Sequence, residues 1–305
     1  MTSYKIVTFA AVDGARAGLV AGSRLVDIEK TTGDSAHRTV LGLLSHWDAS
    51  LATLRTVARE ADDAGMPLSD ARLLAPIPVP GTIFCAGANY ADHAAEMARR
   101  RGDPPPPDPH TLGLQSWHFI KASRCVAGPD ETIPLPRTSK KVDWEAELAV
   151  VIGRKAKDVS ESDALAYVAG YTIANDLSAR DLSRREGLPE NSSFKNDWVG
   201  QKCFDGACPL GPWIVPAEDI PDPHDLAIEL SVNGAVKQSS NTGQMIYTIN
   251  EQIADLSSRM TLWPGDIILT GTPAGVGTAR GEFLKSGDVV RIMIERIGEL
   301  IHKMS

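Results

Sequence analysis

The most informative part of this 305-residue chain is the stretch Val142-Asp143-Trp144-Glu145-Ala146-Glu147-Leu148-Ala149-Val150-Val151-Ile152. Its second half is apolar and β-branched and is followed by Gly153, a pattern that predicts a buried strand. Because successive side chains of a strand point to opposite faces, Glu145 and Glu147 are expected on one face, with Cα atoms roughly 6.5–7 Å apart. Two buried carboxylates at that distance need a nearby cation, and a divalent metal ion with oxygen ligands would supply it. The alternative is a solvated strand face on which both glutamates contact water.

A third carboxylate lies at the end of the next apolar segment. Tyr171-Thr172-Ile173-Ala174-Asn175 is followed by Asp176, and a helical pattern is expected to begin near Ser178. A carboxylate at a strand end can complete a set of three oxygen ligands and leave positions open for water and substrate. The spacing therefore predicts a metal site formed by Glu145, Glu147 and Asp176.

A second group of candidate residues lies between Gly87 and Glu96. Asn89 is expected to cap a helix, with Asp92 at its third position, and this places His93 in the first turn. The positive end of the helix dipole disfavours an imidazolium there, and Glu96 lies three residues further on the same helix face. A neutral histidine beside a carboxylate could activate a water molecule, although such pairs are also common on helix surfaces.

Several stretches resemble the motifs of the fumarylacetoacetate hydrolase superfamily, in the same order along the chain. They are Gly87-Ala88-Asn89-Tyr90-Ala91-Asp92-His93-Ala94-Ala95-Glu96, Glu145-Ala146-Glu147, Asn175-Asp176-Leu177-Ser178-Ala179-Arg180-Asp181, Lys202-Cys203-Phe204-Asp205, Cys208-Pro209-Leu210-Gly211-Pro212-Trp213, and Gly271-Thr272-Pro273-Ala274-Gly275-Val276-Gly277. The resemblance spans residues 87–277. It implies a catalytic dyad of His93 and Glu96, a mobile lid after the dyad helix, and a homodimer.

The resemblance also implies a reaction. It is the metal-dependent hydrolysis of a carbon–carbon bond in a 2,4-dioxo acid of the acylpyruvate, fumarylpyruvate or diketo sugar acid type. Mg²⁺ or Mn²⁺ would stabilise the departing enolate, and the dyad would activate water. The alternatives are an oxaloacetate-type decarboxylase and a 2-hydroxyhepta-2,4-diene-1,7-dioate isomerase. A binding protein without turnover is disfavoured because the metal-site and dyad residues are all present.

Three further residues are candidates for contacts with the substrate. Lys202 is expected to act in catalysis by balancing the charge of the three carboxylates and orienting a ligand or substrate oxygen. Arg180 could hold a substrate carboxylate, or form a salt bridge with Asp181 or another neighbour. Thr272 lies in the loop Gly271–Gly277, whose glycines would let backbone amides approach a bound carboxylate or oxyanion. This loop lacks the spacing of a nucleotide-binding fingerprint.

Some parts of the chain depart from the family pattern. Trp117-His118-Phe119-Ile120-Lys121-Ala122-Ser123 resembles a Phe-x-Lys-Pro strand but lacks the proline, and Ser183 stands where many relatives have glutamine. The proline-rich run 103–109 and the polar segment 184–201 are expected to be irregular. These loops are therefore candidates for a lid and for the region that distinguishes substrates.

The chain is predicted to be α+β and to contain two domains. Short strands at residues 5–12, 17–20 and 24–28 and helices between residues 39 and 64 suggest a small N-terminal α+β domain over residues 1–75. Prolines at alternate positions in the run 75–81 enforce an extended boundary. Residues 76–305 would then form a strand-rich catalytic domain that resembles the mixed β-roll of the family. Within it, Asn233-Gly234 predicts a hairpin, and Thr248 with Glu251 predicts a capping box.

Composition excludes several classes of partner. The net charge of −8 argues against binding to nucleic acid, which requires basic surfaces. No apolar run approaches the roughly 20 residues of a membrane-spanning helix. The four cysteines show no Cys-x-x-Cys spacing, so reduced thiols in the cytoplasm are expected. The expected partner is thus a small dioxo acid.

Overall fold

The computed structural model describes residues 3–61 and 65–305, and within them it shows a strand-rich α+β fold. The strands are β1 (Lys5–Ala11), β2 (Gly14–Ala21), β3 (Arg24–Asp27), β4 (Met66–Pro67), β5 (Leu73–Leu74), β6 (Ile83–Ala86), β7 (His118–Lys121), β8 (Val126–Ala127), β9 (Thr132–Ile133), β10 (Val142–Asp143), β11 (Ala146–Ile152), β12 (Val168–Asn175), β13 (Ser178–Ala179), β14 (Cys208–Pro216), β15 (Ala227–Val232), β16 (Ala235–Asn241), β17 (Ile267–Leu269), β18 (Val289–Ile294) and β19 (Gly298–Met304). The α-helices are α1 (Ile28–Thr32), α2 (Val40–Ser45), α3 (Trp47–Glu60), α4 (Ala91–Arg101), α5 (Trp198–Lys202), α6 (Ile249–Arg259) and α7 (Gly277–Arg280). None of the described helices is long and apolar enough to cross a bilayer.

The strands form one large sheet and two smaller ones. The large sheet has the order β4-β3-β2-β1-β14-β12-β11-β17-β6-β7, and β5 and β8 pair with β1 and β14. A second sheet has the order β16-β15-β18-β19-β9, and β10 pairs with β13. β11 lies inside the large sheet, antiparallel to both β12 and β17. The strand that carries Glu147, and that Glu145 immediately precedes, is therefore enclosed by neighbours on both edges.

The apolar sequence of β11 has a direct structural cause. Every residue of this strand is buried. Leu148 and Val150 belong to one apolar cluster, whereas Ala149 and Val151 belong to another on the opposite face of the sheet. A strand covered on both faces needs a continuous apolar run instead of an alternating one. The prediction of a buried strand is confirmed.

The N-terminal residues share the large sheet with the rest of the chain. β1 pairs antiparallel with β14, with Ile6 opposite Ile214. Side chains of α2 and α3 belong to the same apolar cluster as Val151 of β11. The predicted strands at 5–12, 17–20 and 24–28 are present, and the described part of the helical region ends at Glu60, while residues 62–64 lie outside the described residues. A division into two domains at residue 75 stays a prediction.

Two local predictions are wrong. Asn89 does not cap α4, which follows Tyr90, because its side chain bonds to the backbone of Tyr247 and Thr270 instead. No helix begins at Ser178, since this residue starts β13. A short 3-10 turn follows β13. In both places contacts with distant residues override a local propensity.

Candidate metal centre and active site

The three predicted metal ligands meet at the paired ends of β11 and β12. Ala146 is opposite Asn175 in this antiparallel pair, so Asp176, just after β12, lies beside the start of β11. Glu145 immediately precedes β11 and Glu147 is its second residue. The three residues are no more than 6% exposed. One carboxylate oxygen from each lies within 4.8 Å of the others, so the structure brings this set together.

Two buried lysines bind these carboxylates. Lys202, in α5, donates to Glu145 Oε2 at 3.1 Å and to Asp176 Oδ2 at 2.5 Å. Lys121, in β7, donates to Asp176 Oδ1 at 2.5 Å and to the Leu177 carbonyl at 3.0 Å. The predicted position of Lys202 beside the carboxylates is thus observed. Lys121 was not a candidate from sequence, although it lies in the stretch that resembles the family's Phe-x-Lys-Pro strand.

Arg180 adds a third cation to the cluster. Its Nε donates to Asp143 Oδ2 at 2.9 Å, and its Nη2 donates to Glu145 Oε1. Asp181 bonds instead to Ser139 and to the Lys140 amide, so the salt bridge of Arg180 is with other neighbours. Burial alone would lower the pKa of Arg180, but the carboxylates of Glu145 and Asp143 outweigh it and raise this pKa. The Arg180 side chain is 21% exposed.

The charges in the cluster are not evenly balanced. Burial would raise the pKa of Glu145, but Arg180 and Lys202 outweigh it and hold this pKa below its ordinary value. Within residues 3–61 and 65–305, the one hydrogen bond that Glu147 accepts comes from the Gly271 amide, at 2.6 Å. Burial, and then the charges of Asp176 and Glu145, raise the pKa of Glu147 well above its ordinary value. A divalent cation would supply the positive charge that Glu147 lacks, so the all-oxygen donor set fits Mg²⁺ or Mn²⁺.

The glycine-rich loop bonds to carboxylates of the protein itself. Besides the bond from Gly271 to Glu147, the Gly275 amide donates to Glu96 Oε2 at 2.9 Å, and the Gly277 amide donates to Asp143 Oδ1 at 2.6 Å. Thr272 Oγ1 accepts from Gln238 Nε2 at 2.8 Å and is 6% exposed. These amides thus position site residues, and the role of Thr272 in substrate binding stays a prediction.

His93 and Glu96 lie together on α4, as the sequence predicts. His93 Nδ1 is 3.6 Å from Glu96 Oε2, and both side chains are less than 20% exposed, at 16% and 19%. Burial raises the pKa of Glu96, but His93 and the Gly275 amide outweigh it and lower the pKa overall. A charged Glu96 held by a backbone amide can orient the imidazole and stabilise its protonated form. The pair is therefore arranged to accept a proton from water.

A pocket of about 510 Å³ opens beside this dyad. We call it the His93 pocket. It lies between α4 and the proline-rich segment, and its walls include His93, Met97, Pro106, Leu114, Trp117 and Tyr247. His93 lines this pocket, and a charge on His93 would lower the pKa of Glu145, so the imidazole lies near the carboxylate cluster as well.

A second layer of buried polar residues supports the carboxylates. The Asn175 side chain accepts from the Glu145 amide at 2.9 Å and pairs with His302 Nε2 at 2.9 Å. Gln238 accepts from the Ala146 amide at 2.9 Å. Sequence reasoning missed these residues because Gln238 is 92 positions from Ala146 and His302 is 127 positions from Asn175. Their spacing along the chain carries no periodic signal.

Comparison with known proteins agrees with this geometry. Residues 82–305 match the family model described as fumarylacetoacetate (FAA) hydrolase C-terminal. The mitochondrial oxaloacetate tautomerase Fahd2a of Rattus norvegicus is 42% identical over 288 residues, covering 93% of this chain and 84% of the relative. The family model thus matches the C-terminal part of the chain, and the match to the tautomerase covers 93% of the chain.

Two solved structures are similar over nearly the whole chain. Maleylpyruvate hydrolase from Sphingobium sp. SYK-6, in complex with manganese(II) ion and pyruvate, has a TM-score of 0.76 and 30% identity, covering 98% of both chains. The 2-hydroxyhepta-2,4-diene-1,7-dioate isomerase of Mycobacterium marinum has a TM-score of 0.70 and 32% identity, covering 99% of this chain and 98% of the other. These relatives are named as enzymes of three kinds: a tautomerase, a hydrolase and an isomerase. Because the family model covers more than half of the chain, this protein belongs to the fumarylacetoacetate hydrolase family.

Proposed function

We propose that this protein is a divalent-metal hydrolase that cleaves a carbon–carbon bond in a 2,4-dioxo acid of the acylpyruvate type. One observation supports this most directly: three buried carboxylates have oxygens within 4.8 Å of one another, and His93, which is paired with Glu96, lines the pocket and acts electrostatically on Glu145. Enolate chemistry needs the metal site, and hydrolysis needs in addition a base for water. The site offers both.

The reaction can be written in full for this substrate class. An acylpyruvate has a carboxylate at C1, carbonyls at C2 and C4, and a tail on C4. The oxygen of water bonds to C4, the C3–C4 bond breaks, and its electron pair stays on C3. Protonation of C3 gives pyruvate, and the tail leaves as a carboxylic acid. When bound at Glu145, Glu147 and Asp176, Mg²⁺ or Mn²⁺ supplies Lewis-acid stabilisation of the enolate.

The protein's own residues perform the proton transfers. Because Nδ1 of His93 faces Glu96, Nε2 is the ring atom available to take the proton of the attacking water. Glu96, fixed by the Gly275 amide, stabilises the imidazolium that forms. A positioned base of this kind contributes roughly 10²–10⁴ in rate. Lys202 and Arg180 are the cations we propose to stabilise negative charge on the substrate.

A second reaction is favoured by one comparison. The relative that is 42% identical over 93% of this chain is named an oxaloacetate tautomerase. In oxaloacetate C4 is a carboxylate carbon, and tautomerisation moves a proton between C3 and the C2 oxygen without attack of water on C4. The same metal and base could serve this reaction. Decarboxylation of oxaloacetate and isomerisation of a dienedioate are further alternatives that use the same enolate.

The test is a substrate comparison with purified protein and Mg²⁺ or Mn²⁺. Pyruvate release from an acylpyruvate is expected, and it should stop after chelation of the metal. With oxaloacetate, loss of the enol absorbance without pyruvate would indicate a tautomerase, whereas pyruvate with CO₂ would indicate a decarboxylase. Turnover of oxaloacetate with no cleavage of any acylpyruvate would replace hydrolysis as the proposed reaction.

We also propose a homodimer. Large apolar side chains are exposed on the edge strand β7 and in the segment 194–199, including Ile120 at 61%, Phe194 at 70% and Val199 at 71%. An unpaired sheet edge with exposed apolar side chains favours association with another chain. Light scattering should give twice the 32.7 kDa mass of one chain, and a mass of one chain at micromolar concentration would contradict the proposal.

A further inference from the structure

The His93 pocket has an apolar lining of a particular kind. Met97 lies one helix turn beyond His93 on α4 and faces the pocket, as do Leu114 and Tyr247. Leu114 is 56% exposed and Trp117 is 51% exposed. Exposed apolar groups gathered around a concave site are typical of surfaces that a ligand covers.

Trp117 is fixed in position by its neighbours. Its indole lies against Gly87, where an added Cβ would be 1.8 Å from the ring. Its ring centroid is 5.4 Å from that of Trp198 and 5.8 Å from that of Phe119. A preorganised aromatic wall can bind a flat apolar group with little loss of side-chain entropy.

The pocket contains little positive charge that could bind a second carboxylate, at the end of a substrate tail. Among the residues that line it, Arg101 is the one arginine or lysine. Its Nε donates to Asp103 Oδ2 at 2.7 Å, and its side chain is 60% exposed. An exposed arginine already paired with a carboxylate attracts an anionic tail only weakly.

We propose that the His93 pocket holds the tail of the acylpyruvate and selects bulky, uncharged, apolar tails over tails that end in a carboxylate. This inference rests on the proposed hydrolase function and extends it to the substrate class. The position of the pocket supports it, because His93 must lie next to C4 to activate the attacking water. The tail is attached to C4 and therefore extends from His93 into this pocket. A volume of about 510 Å³ greatly exceeds what a methyl tail would fill.

The experiment measures kcat/KM for three acylpyruvates that differ only in the tail. Benzoylpyruvate has an aromatic tail, acetylpyruvate has a methyl group, and maleylpyruvate has an unsaturated tail that ends in a carboxylate. We expect benzoylpyruvate to exceed both others by at least about tenfold, the scale on which apolar pockets discriminate between substrates. Equal values for the three, or a preference for maleylpyruvate, would overturn the inference and leave the hydrolase function standing.

Two pairs of variants test the lining. Trp117→Ala should lower the ratio of benzoylpyruvate to acetylpyruvate kcat/KM at least about fivefold, on the same scale of apolar discrimination. Trp263→Ala removes a comparably exposed tryptophan outside this pocket and should leave the ratio unchanged. Met97→Lys should shift the preference toward maleylpyruvate, whereas Met260→Lys, outside the pocket, should not. No shift for either pocket variant would contradict the inference.

Binding measurements keep the inference testable if the hydrolase function fails. Dissociation constants of the three acids can be measured by calorimetry with the wild-type protein and Mn²⁺. Tighter binding of benzoylpyruvate without pyruvate release would support the pocket and refute hydrolysis. Equal or undetectable binding of all three acids would refute the pocket.

Discussion

Glu147 is the carboxylate of the metal centre with the fewest compensating contacts. It accepts one backbone amide, whereas Glu145 and Asp176 each bond to Lys202. Burial and neighbouring charges raise its pKa, which means that its charged form is costly without a metal. The same residue should therefore favour metal binding and disfavour the metal-free fold.

We predict opposite effects of Glu147→Gln on these two properties. Affinity for Mn²⁺ should fall by at least about 100-fold, since even residues behind the direct ligands account for 10–100-fold. The metal-free protein should unfold at the same or a higher urea concentration, because a buried acid is replaced by a neutral amide of equal size. Calorimetry measures the affinity for Mn²⁺, and urea unfolding in the presence of a chelator measures the stability of the metal-free protein. Glu60→Gln, on the exposed end of α3, is the control, and unchanged metal affinity would exclude Glu147 as a ligand.

Glu96→Gln should separate hydrolysis from metal-assisted decarboxylation, which needs neither an attacking water nor a base to activate it. The amide keeps the volume but cannot stabilise an imidazolium at His93, so acylpyruvate cleavage should fall by at least about 100-fold. Metal-assisted decarboxylation of oxaloacetate, if the wild type shows it, should persist. Metal affinity must stay intact in this variant for the comparison to be valid. Hydrolysis at the wild-type rate would show that the dyad assignment is wrong.

At the residue scale, the sequence alone could identify those site residues that lie within a few positions of each other along the chain. Glu145 and Glu147 are two positions apart on a strand, and His93 and Glu96 are three apart on a helix, so periodicity alone places each pair together. Lys121 gave no such signal, because its partner Asp176 belongs to a different strand. The structure reveals it through a buried ion pair between distant segments.

The segment from residue 103 to residue 116 is the element most suited to cover the His93 pocket. It contains the proline-rich run and a short 3-10 helix over Pro109–Leu112. His110 Nε2 lies 2.9 Å from Glu251 Oε1 of α6, and its Nδ1 lies 2.7 Å from Asp108 Oδ1. The Tyr247 hydroxyl donates to the Leu114 carbonyl at 2.7 Å. A few polar contacts thus attach the segment to α6 and to the residues that immediately precede α6.

We predict that hydrogen exchange in this segment slows when oxalate and Mn²⁺ bind, because closure would exclude water from the enolate. Asp108, and then Glu251, raise the pKa of His110 above 6.5, so the ion pairs are complete below that value and are lost as pH rises through the raised pKa. His110→Ala should speed hydrogen exchange in this segment at pH 6 and remove the extra protection that the His110 ion pairs give at low pH. His46→Ala, on the surface, should change neither. Equally slow exchange with and without ligand would argue against a lid.

Elements defined by short-range patterns were predictable, and those that depend on distant partners were not. The capping box of Thr248 and Glu251 is present at the start of α6, and Asn233 and Gly234 connect β15 to β16. Asn89 has the propensity to cap a helix, yet it bonds to segments more than 150 residues away. A buried asparagine satisfies its polar groups wherever partners exist, and sequence alone does not identify them.

For the whole molecule, the shared sheet predicts that residues 76–305 do not fold well alone. Removing β1 would leave β14 without its partner at Ile214 and uncover this side chain, which is fully buried. We expect the fragment to aggregate or to unfold at a lower urea concentration than the full chain. Size-exclusion chromatography and circular dichroism measure this. A monodisperse fragment with an unchanged unfolding midpoint would favour two independent domains.

His302 should make the whole protein sensitive to acid. The residue is 1% exposed, and burial lowers its pKa from 6.5 to about 3. The neutral ring therefore contributes its full stability above pH 6.5, and the contribution is lost as pH falls toward 3. Each pH unit in that range lowers the free energy of unfolding by up to about 1.4 kcal/mol.

Unfolding in urea at pH 7 and pH 5 tests the role of His302. His302→Gln should show a smaller loss of stability between these values than the wild type. His46→Gln, at an exposed position, should lose as much as the wild type. Equal pH dependence in all three proteins would show that another group is responsible.

The two functional parts of the site come from different segments of the chain. Residues 145–202 supply the three carboxylates together with Lys202 and Arg180, whereas the dyad lies on α4 and depends on the Gly275 amide. A mutation can therefore change one of these two groups of residues and leave the other intact. We expect a descendant that lost Glu96 to keep the metal site, so its gene could persist under selection for a reaction that needs the metal but no base.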